Sequence, residues 1–238
     1  MFHPKGPTFF ELAEQALSST EQGYDLLAEK FEYTPFRTPD GLVDPVAEQL
    51  GAPGSLECAL DVCCGTGAGM RMLRPLCTSH VTGVDLSRGM LAEAERLLAD
   101  APGDAELRFL RDDVLDLPFE AEFDVATCFG ALGHILERDQ DRFVASVRRA
   151  LKPGGRFAFV TGEMPGVLNP AWWFGRGFNA AMHVRNALFD PPFVMFYLTF
   201  QVPRAREVLE RNGLKVEVRE GLFPKFRTAK LVIGTKVA

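Results

Sequence analysis

The spacing of apolar and polar positions changes period several times along the chain. From Thr8 to Phe31 apolar residues recur at helical spacing (Phe9, Leu12, Ala13, Leu17, then Leu26, Leu27, Phe31), with Gly23 read as the break between two short helices. Tyr33–Pro45, rich in proline, reads as a loop into a helix at about Pro45–Leu50, and Gly51–Ser55 as another break. The period then shortens. Cys58–Cys63 is a short apolar run, followed by a Gly-rich turn and a helical pattern through Met70, Leu73 and Leu76. His80–Asp85 reads as a second strand, and Ser87 as the N-cap of a helix running to Asp100. Leu107–Leu110 and Phe123–Phe129 read as strands three and four. Asp139–Leu151 reads as a helix with Phe143, Val144, Val147 and Leu151 on one face, stopped by Lys152-Pro153-Gly154-Gly155. Arg156–Thr161 is a fifth strand. Strands alternating with helices predict βαβ units and a mostly parallel sheet.

Gly162–Pro203 interrupts the alternation. It has only four charged residues (Glu163, Arg176, Arg185, Asp190) but both tryptophans, which marks it as an insertion rather than another βα unit. The alternation resumes with a helix over Ala205–Asn212, a strand over Lys215–Arg219 and a last strand over Ala229–Lys236. The short Gly221–Arg227 link predicts that these two strands are antiparallel. The chain therefore divides into a helical cap over 1–55, a core over 56–161, an inserted cap over 162–203, and a helix and strand pair over 204–238.

Composition narrows the function. A net charge of −6 over 238 residues offers no basic field for phosphate contacts, which disfavours a nucleic-acid partner. Five cysteines, an odd number, fit a reducing, cytoplasmic setting. Cys58, Cys63, Cys64, Cys77 and His80 cluster in sequence but contain no C-x2-C pair, so no metal site is expected. Met1–Pro7 lacks the apolar run of a leader, and no stretch has the roughly 20 apolar residues of a spanning helix. Phenylalanine dominates the aromatics, with 20 Phe against 3 Tyr and 2 Trp, which favours apolar burial or an apolar ligand.

Three segments carry candidate chemistry. Leu60-Asp61-Val62-Cys63-Cys64-Gly65-Thr66-Gly67-Ala68-Gly69 is a strand ending in a Gly-rich turn that opens a helix, where backbone can approach a ligand closely. It lacks the G-x4-G-K-[ST] of a P-loop. It also lacks the third glycine of G-x-G-x-x-G, since positions 70 and 72 are Met. A ligand without a pyrophosphate is expected. Asp85 ends the next strand, where a carboxylate can accept two ribose hydroxyls. Asp113, after strand three, can accept from an amino group on a base, while Asp112 and Asp116 read as surface acids. An isolated acid is more often a solvated or turn acceptor. Here Asp85 and Asp113 stand at strand ends in register with the Gly turn, which favours a ligand role.

These segments, with Phe123–Gly130 and Leu151–Gly155, resemble class I S-adenosylmethionine-dependent methyltransferases over about Leu56 to Val160. The resemblance implies a Rossmann-like, mostly parallel seven-stranded sheet with helices on both faces and the last strand antiparallel. It implies S-adenosylmethionine as cofactor and S-adenosylhomocysteine as product. It assigns Asp61 to the loop and the cofactor's amino group, Gly65 and Gly67 to close backbone packing, and Asp85 to the ribose. Asp113 would take the adenine amino group, Val114 N–H the ring, and the Cys128 carbonyl the methionyl moiety. Cys63, Thr66 and Leu86 join the same cofactor-binding set. Cys63 stands where the family usually has Gly.

Methyl transfer is an in-line displacement, so the protein's main task is placement. His134, after strand four, is the candidate base, with a helix-start role as its alternative. The insertion reads as a lid over an apolar or aromatic acceptor, as a dimer contact, or as plain core. Trp172, Trp173 and Phe178 are its candidate acceptor contacts, with Phe129, and with Tyr24 and Tyr33 closing the other side. A small-molecule methyltransferase, monomeric or homodimeric, is expected. A cofactor-binding module without catalysis and a nicotinamide-dependent oxidoreductase are the alternatives.

Overall fold

The computed structural model describes residues 3–237; Met1 and Phe2, part of the segment read as lacking a leader, lie outside them, as does Ala238. A seven-stranded sheet runs through the molecule in the order β3-β2-β1-β4-β5-β7-β6. Its strands are β1 (Leu56–Val62), β2 (Cys77–Asp85), β3 (Glu106–Arg111), β4 (Phe123–Cys128), β5 (Leu151–Gly162), β6 (Leu214–Arg219) and β7 (Ala229–Lys236). β7 runs antiparallel to both of its neighbours, β5 and β6, and the other pairings are parallel. β1 sits between β2 and β4, so the strand order reverses there. In open α/β sheets ligands bind at that reversal, beyond the strands' carboxyl ends.

Helices cover both faces because β1 and β4 alternate two sets of apolar side chains. Cys58, Leu60 and Val62 face a layer built with α6 (Gln140–Ala150) and α8 (Val202–Arg211) through Phe143, Val147, Ala205 and Val208. Ala59 and Val125 face the other layer, formed by α3 (Asp40–Leu50), α4 (Ala68–Leu73) and α5 (Arg88–Leu98). The sequence places Asp61 and Thr127 on that same face, and the β1–β4 register sets them side by side.

Several boundaries differ from the sequence reading. The N-terminal helices α1 (Phe9–Leu17) and α2 (Thr20–Leu27) break at Ser18–Ser19, because Ser19 Oγ accepts the Gln22 N–H at 3.1 Å and caps α2. Gly23 lies inside α2 instead. A Cβ there would stand 2.9 Å from both Gln15 and Phe193, so the glycine permits close packing rather than a break. α3 begins at Asp40 and carries Pro45 within it. Lys152–Gly155 does not separate helix from strand; α6 ends at Ala150 and the chain runs straight into the twelve-residue β5. The insertion forms one long helix, α7 (Pro170–Leu188), and an irregular return segment that buries Phe193, Phe196 and Phe200.

Candidate active site

The carboxyl ends of β1, β2 and β4, with the loop after β3, open onto one cavity of about 330 Å3. Asp61, Cys63, Gly65, Thr66, Asp85, Leu86, Asp113, Val114, Phe129, Tyr24 and His134 all line it. Gly67 and Cys128 do not. Gly67 holds a left-handed conformation (φ 87°) at the turn into α4, and a Cβ there would come within 2.6 Å of Leu98. Cys128 is buried in the core layer of α6 and α8. Cys63, also left-handed at φ 53°, occupies a conformation that glycine adopts without strain.

The acceptor contacts expected from the insertion are corrected. Trp172, Trp173 and Phe178 lie outside the cavity: Trp173 is 64% exposed with its indole N–H on the Val167 carbonyl, and Phe178 packs edge-on against Tyr197. Tyr33 is likewise outside, stacked on His3 at 4.8 Å. The insertion reaches the cavity through Val194, on the return segment. The N-terminal elements close it with Thr20, Tyr24, Phe31, Phe36 and Arg37. Helical periodicity brought the tryptophans onto one element but could not say that the element's outer face would be the aromatic one.

Three carboxylates define the site's electrostatics. Asp61 is 1% exposed; it accepts the Thr127 hydroxyl at 2.7 Å, and burial pushes its pKa up to about 7. Gly69 is required beside it, since a Cβ there would fall 2.4 Å from the carboxylate. Asp85 accepts the Gly65 N–H through Oδ2 and the Ser87 N–H through Oδ1, both at 2.9 Å, and burial raises its pKa against these bonds. Asp113 accepts the Leu115 N–H at 2.9 Å through one oxygen. No basic side chain pairs with any of the three among the described residues; the Arg37 guanidinium in the same cavity is held by Glu32 and Asp40. Thr127 and Glu32, which also accepts the Thr66 hydroxyl at 2.7 Å, were not visible as site residues. Their roles depend on strand pairing and on a contact 34 residues apart.

His134 and Tyr24 face each other across the cavity. Tyr24 Oη lies 2.8 Å from His134 Nε2, and His134 Nδ1 lies 2.5 Å from the Val194 carbonyl. A carbonyl can only accept, so Nδ1 carries the proton and Nε2 accepts from the Tyr24 hydroxyl. Burial lowers the His134 pKa and raises that of Tyr24, so both are neutral.

Residues 59–155 match the family model described as a methyltransferase domain. That stretch, with the sheet order and the relatives that follow, makes the chain similar to class I S-adenosylmethionine-dependent methyltransferases. It is 27% identical over 210 residues to an O-methyltransferase from Penicillium expansum, a match covering 83% of this chain and 70% of that one. It is 36% identical over 124 residues to a 2-phytyl-1,4-naphtoquinone methyltransferase from Nostoc punctiforme, covering 50% of this chain and 53% of that one. The match with that relative thus spans about half of its length. Among solved structures, phosphoethanolamine N-methyltransferase 2 from Haemonchus contortus, in complex with S-adenosyl-L-methionine, superposes with a TM-score of 0.65. That match, at 20% identity, covers 99% of this chain and 62% of that one, and shows a shared fold. The carboxylates of this site fit S-adenosylmethionine as a cofactor: buried acids without counter-ions among the described residues suit a ligand that is cationic at sulfur and at its amino group.

Proposed function

We propose that the protein transfers a methyl group from S-adenosylmethionine to a small apolar or aromatic acceptor bearing a weakly acidic hydroxyl, placed beside His134. The convergence of Asp61, Asp85 and Asp113 on one cavity, none with a basic partner, carries the cofactor half of this reading. The cofactor supplies an electrophilic methyl on a sulfonium centre. Asp85 has one lone pair left on each oxygen for the ribose hydroxyls, and Asp113 a free oxygen for the adenine amino group. Asp61 meets the amino group of the methionyl moiety, while Gly65 and Val114 offer backbone contacts.

His134 is the base of this proposal. Its Nδ1–H is anchored on Val194 and its Nε2 accepts from Tyr24 Oη, so Nε2 takes the Tyr24 proton as Tyr24 takes the acceptor's. The resulting imidazolium donates to Val194 from one nitrogen and to Tyr24 Oη from the other. Tyr24, Phe31, Phe36 and Val194 exclude water and supply an apolar wall. A small acceptor rather than a nucleic acid, and a cytoplasmic setting, are consistent with the net charge of −6 and the five free thiols.

Calorimetric titration with S-adenosylhomocysteine tests the cofactor half. Asp85→Asn should weaken binding by about 100-fold, the worth of lost charge-assisted bonds; unchanged affinity would overturn the assignment. Label transfer from methyl-labelled S-adenosylmethionine to a panel of phenols and quinols tests the other half. His134→Gln should keep S-adenosylhomocysteine affinity while lowering kcat by at least about 100-fold.

A further inference from the structure

A second cavity of about 500 Å3 backs onto the first, with Ile135 and Leu136 lining both. One wall is a single face of α7, where Arg176, Asn179, Ala180 and His183 follow helical spacing. The opposite wall is Ile135–Arg138, with Phe196 and Thr199 between. Two guanidinium groups border this space without firm partners. Arg176 has no carboxylate partner among the described residues and meets only the Trp172 ring, 5.3 Å from its centroid. Arg138 is 81% exposed, and its sole acidic contact is Nε to Asp139 at 3.6 Å, worth little in water. Such forks match a carboxylate. Against them the cavity sets one acid, Glu137, so the balance suits a single negative charge rather than a dianion.

We propose that this cavity is a binding site for a small monoanionic amphiphile. Its carboxylate lies between Arg138 and Arg176, and its apolar body lies against Ile135, Leu136, Ala180 and Phe196. The site is separate from the methyl-transfer cavity and does not depend on that reading. Because the two share the Ile135–Leu136 wall next to His134, occupancy of one bears on the packing of the other.

Calorimetric titration with decanoate, and with decanol as its uncharged counterpart, tests this, each with and without saturating S-adenosylhomocysteine. Decanoate should bind at one site and stay bound when S-adenosylhomocysteine is added. The double variant Arg138→Gln, Arg176→Gln should weaken decanoate by about tenfold or more while leaving decanol and S-adenosylhomocysteine affinities unchanged. Ala180→Phe, which fills the groove from an exposed position, should weaken decanoate and decanol alike. Displacement of decanoate by S-adenosylhomocysteine, or equal decanoate affinity in the double variant and the parent, would overturn the proposal. Failure of S-adenosylhomocysteine to bind at all would count against the methyl-transfer reading alone.

Discussion

Asp61 is held in a state that a strand-end aspartate in water would not show. Its ordinary value lies near 3.8, and burial moves it to about 7. Between those values the folded chain keeps a proton that the unfolded chain has released, so the contribution of Asp61 to stability falls as pH rises through that window. The stability of the parent relative to Asp61→Asn should therefore decline from about pH 4 to about pH 7 in urea titrations. A cationic ligand reverses the preference by favouring the ionised carboxylate. S-adenosylmethionine affinity should accordingly drop as pH falls from about 7 to about 5.5, with proton release on binding; Asp61→Asn should flatten that dependence. A pH-independent affinity in the parent would separate Asp61 from the ligand. Thr127→Val removes the 2.7 Å bond that favours the ionised form, and should cost about 1–3 kcal/mol near neutral pH with weaker S-adenosylhomocysteine binding.

At the scale of elements, α2 is tied to the core by polar contacts as well as by its buried Leu27. Asp25 of α2 accepts the Ser87 hydroxyl at 2.6 Å and the Gly89 N–H at 2.8 Å, where Ser87 caps α5. Asp25→Ala should lower stability by about 1 kcal/mol and speed amide exchange across α1 and α2 while the sheet keeps its protection. The insertion divides in the opposite sense from its composition. Phe200 of the return segment is 3% exposed against Phe159, whereas Phe174 of α7 is 67% exposed. Phe200→Ala should cost about 3–5 kcal/mol and Phe174→Ser less than about 1 kcal/mol, read as shifts in the urea midpoint. Equal costs would mean that α7 is covered in solution.

The whole molecule places a rigid sheet under a cavity whose roof comes from two distant parts of the chain, the N-terminal helices and the Val194 segment. S-adenosylhomocysteine should therefore raise the melting temperature and slow exchange most in α2 and in the return segment around Val194. Protection in β1, β4 and β5, the centre of both apolar layers, should change little. Oligomeric state is checked by sedimentation over a range of concentrations. The exposed apolar groups of α1 and α7, among them Phe10 and Leu188, are the surface that a dimer would cover.

The alternating strands, the Gly turn and the acids at Asp61, Asp85 and Asp113 were legible in the sequence, because each is written in local spacing. Period two marks a strand, a glycine run marks backbone approach, and an acid after a strand falls at the sheet's carboxyl edge. Even the antiparallel last strand followed from a short link. What local spacing does not encode is which distant segments meet. Thr127 came to Asp61 only through the β1–β4 register, and Val194 to His134 only through the path of the insertion back across the sheet. The same limit misplaced Trp172, Trp173 and Phe178. Aromatic density concentrates apolar area in one stretch, but only tertiary packing decides which side of a helix is buried, since burial depends on the partner surface and not on the helix alone.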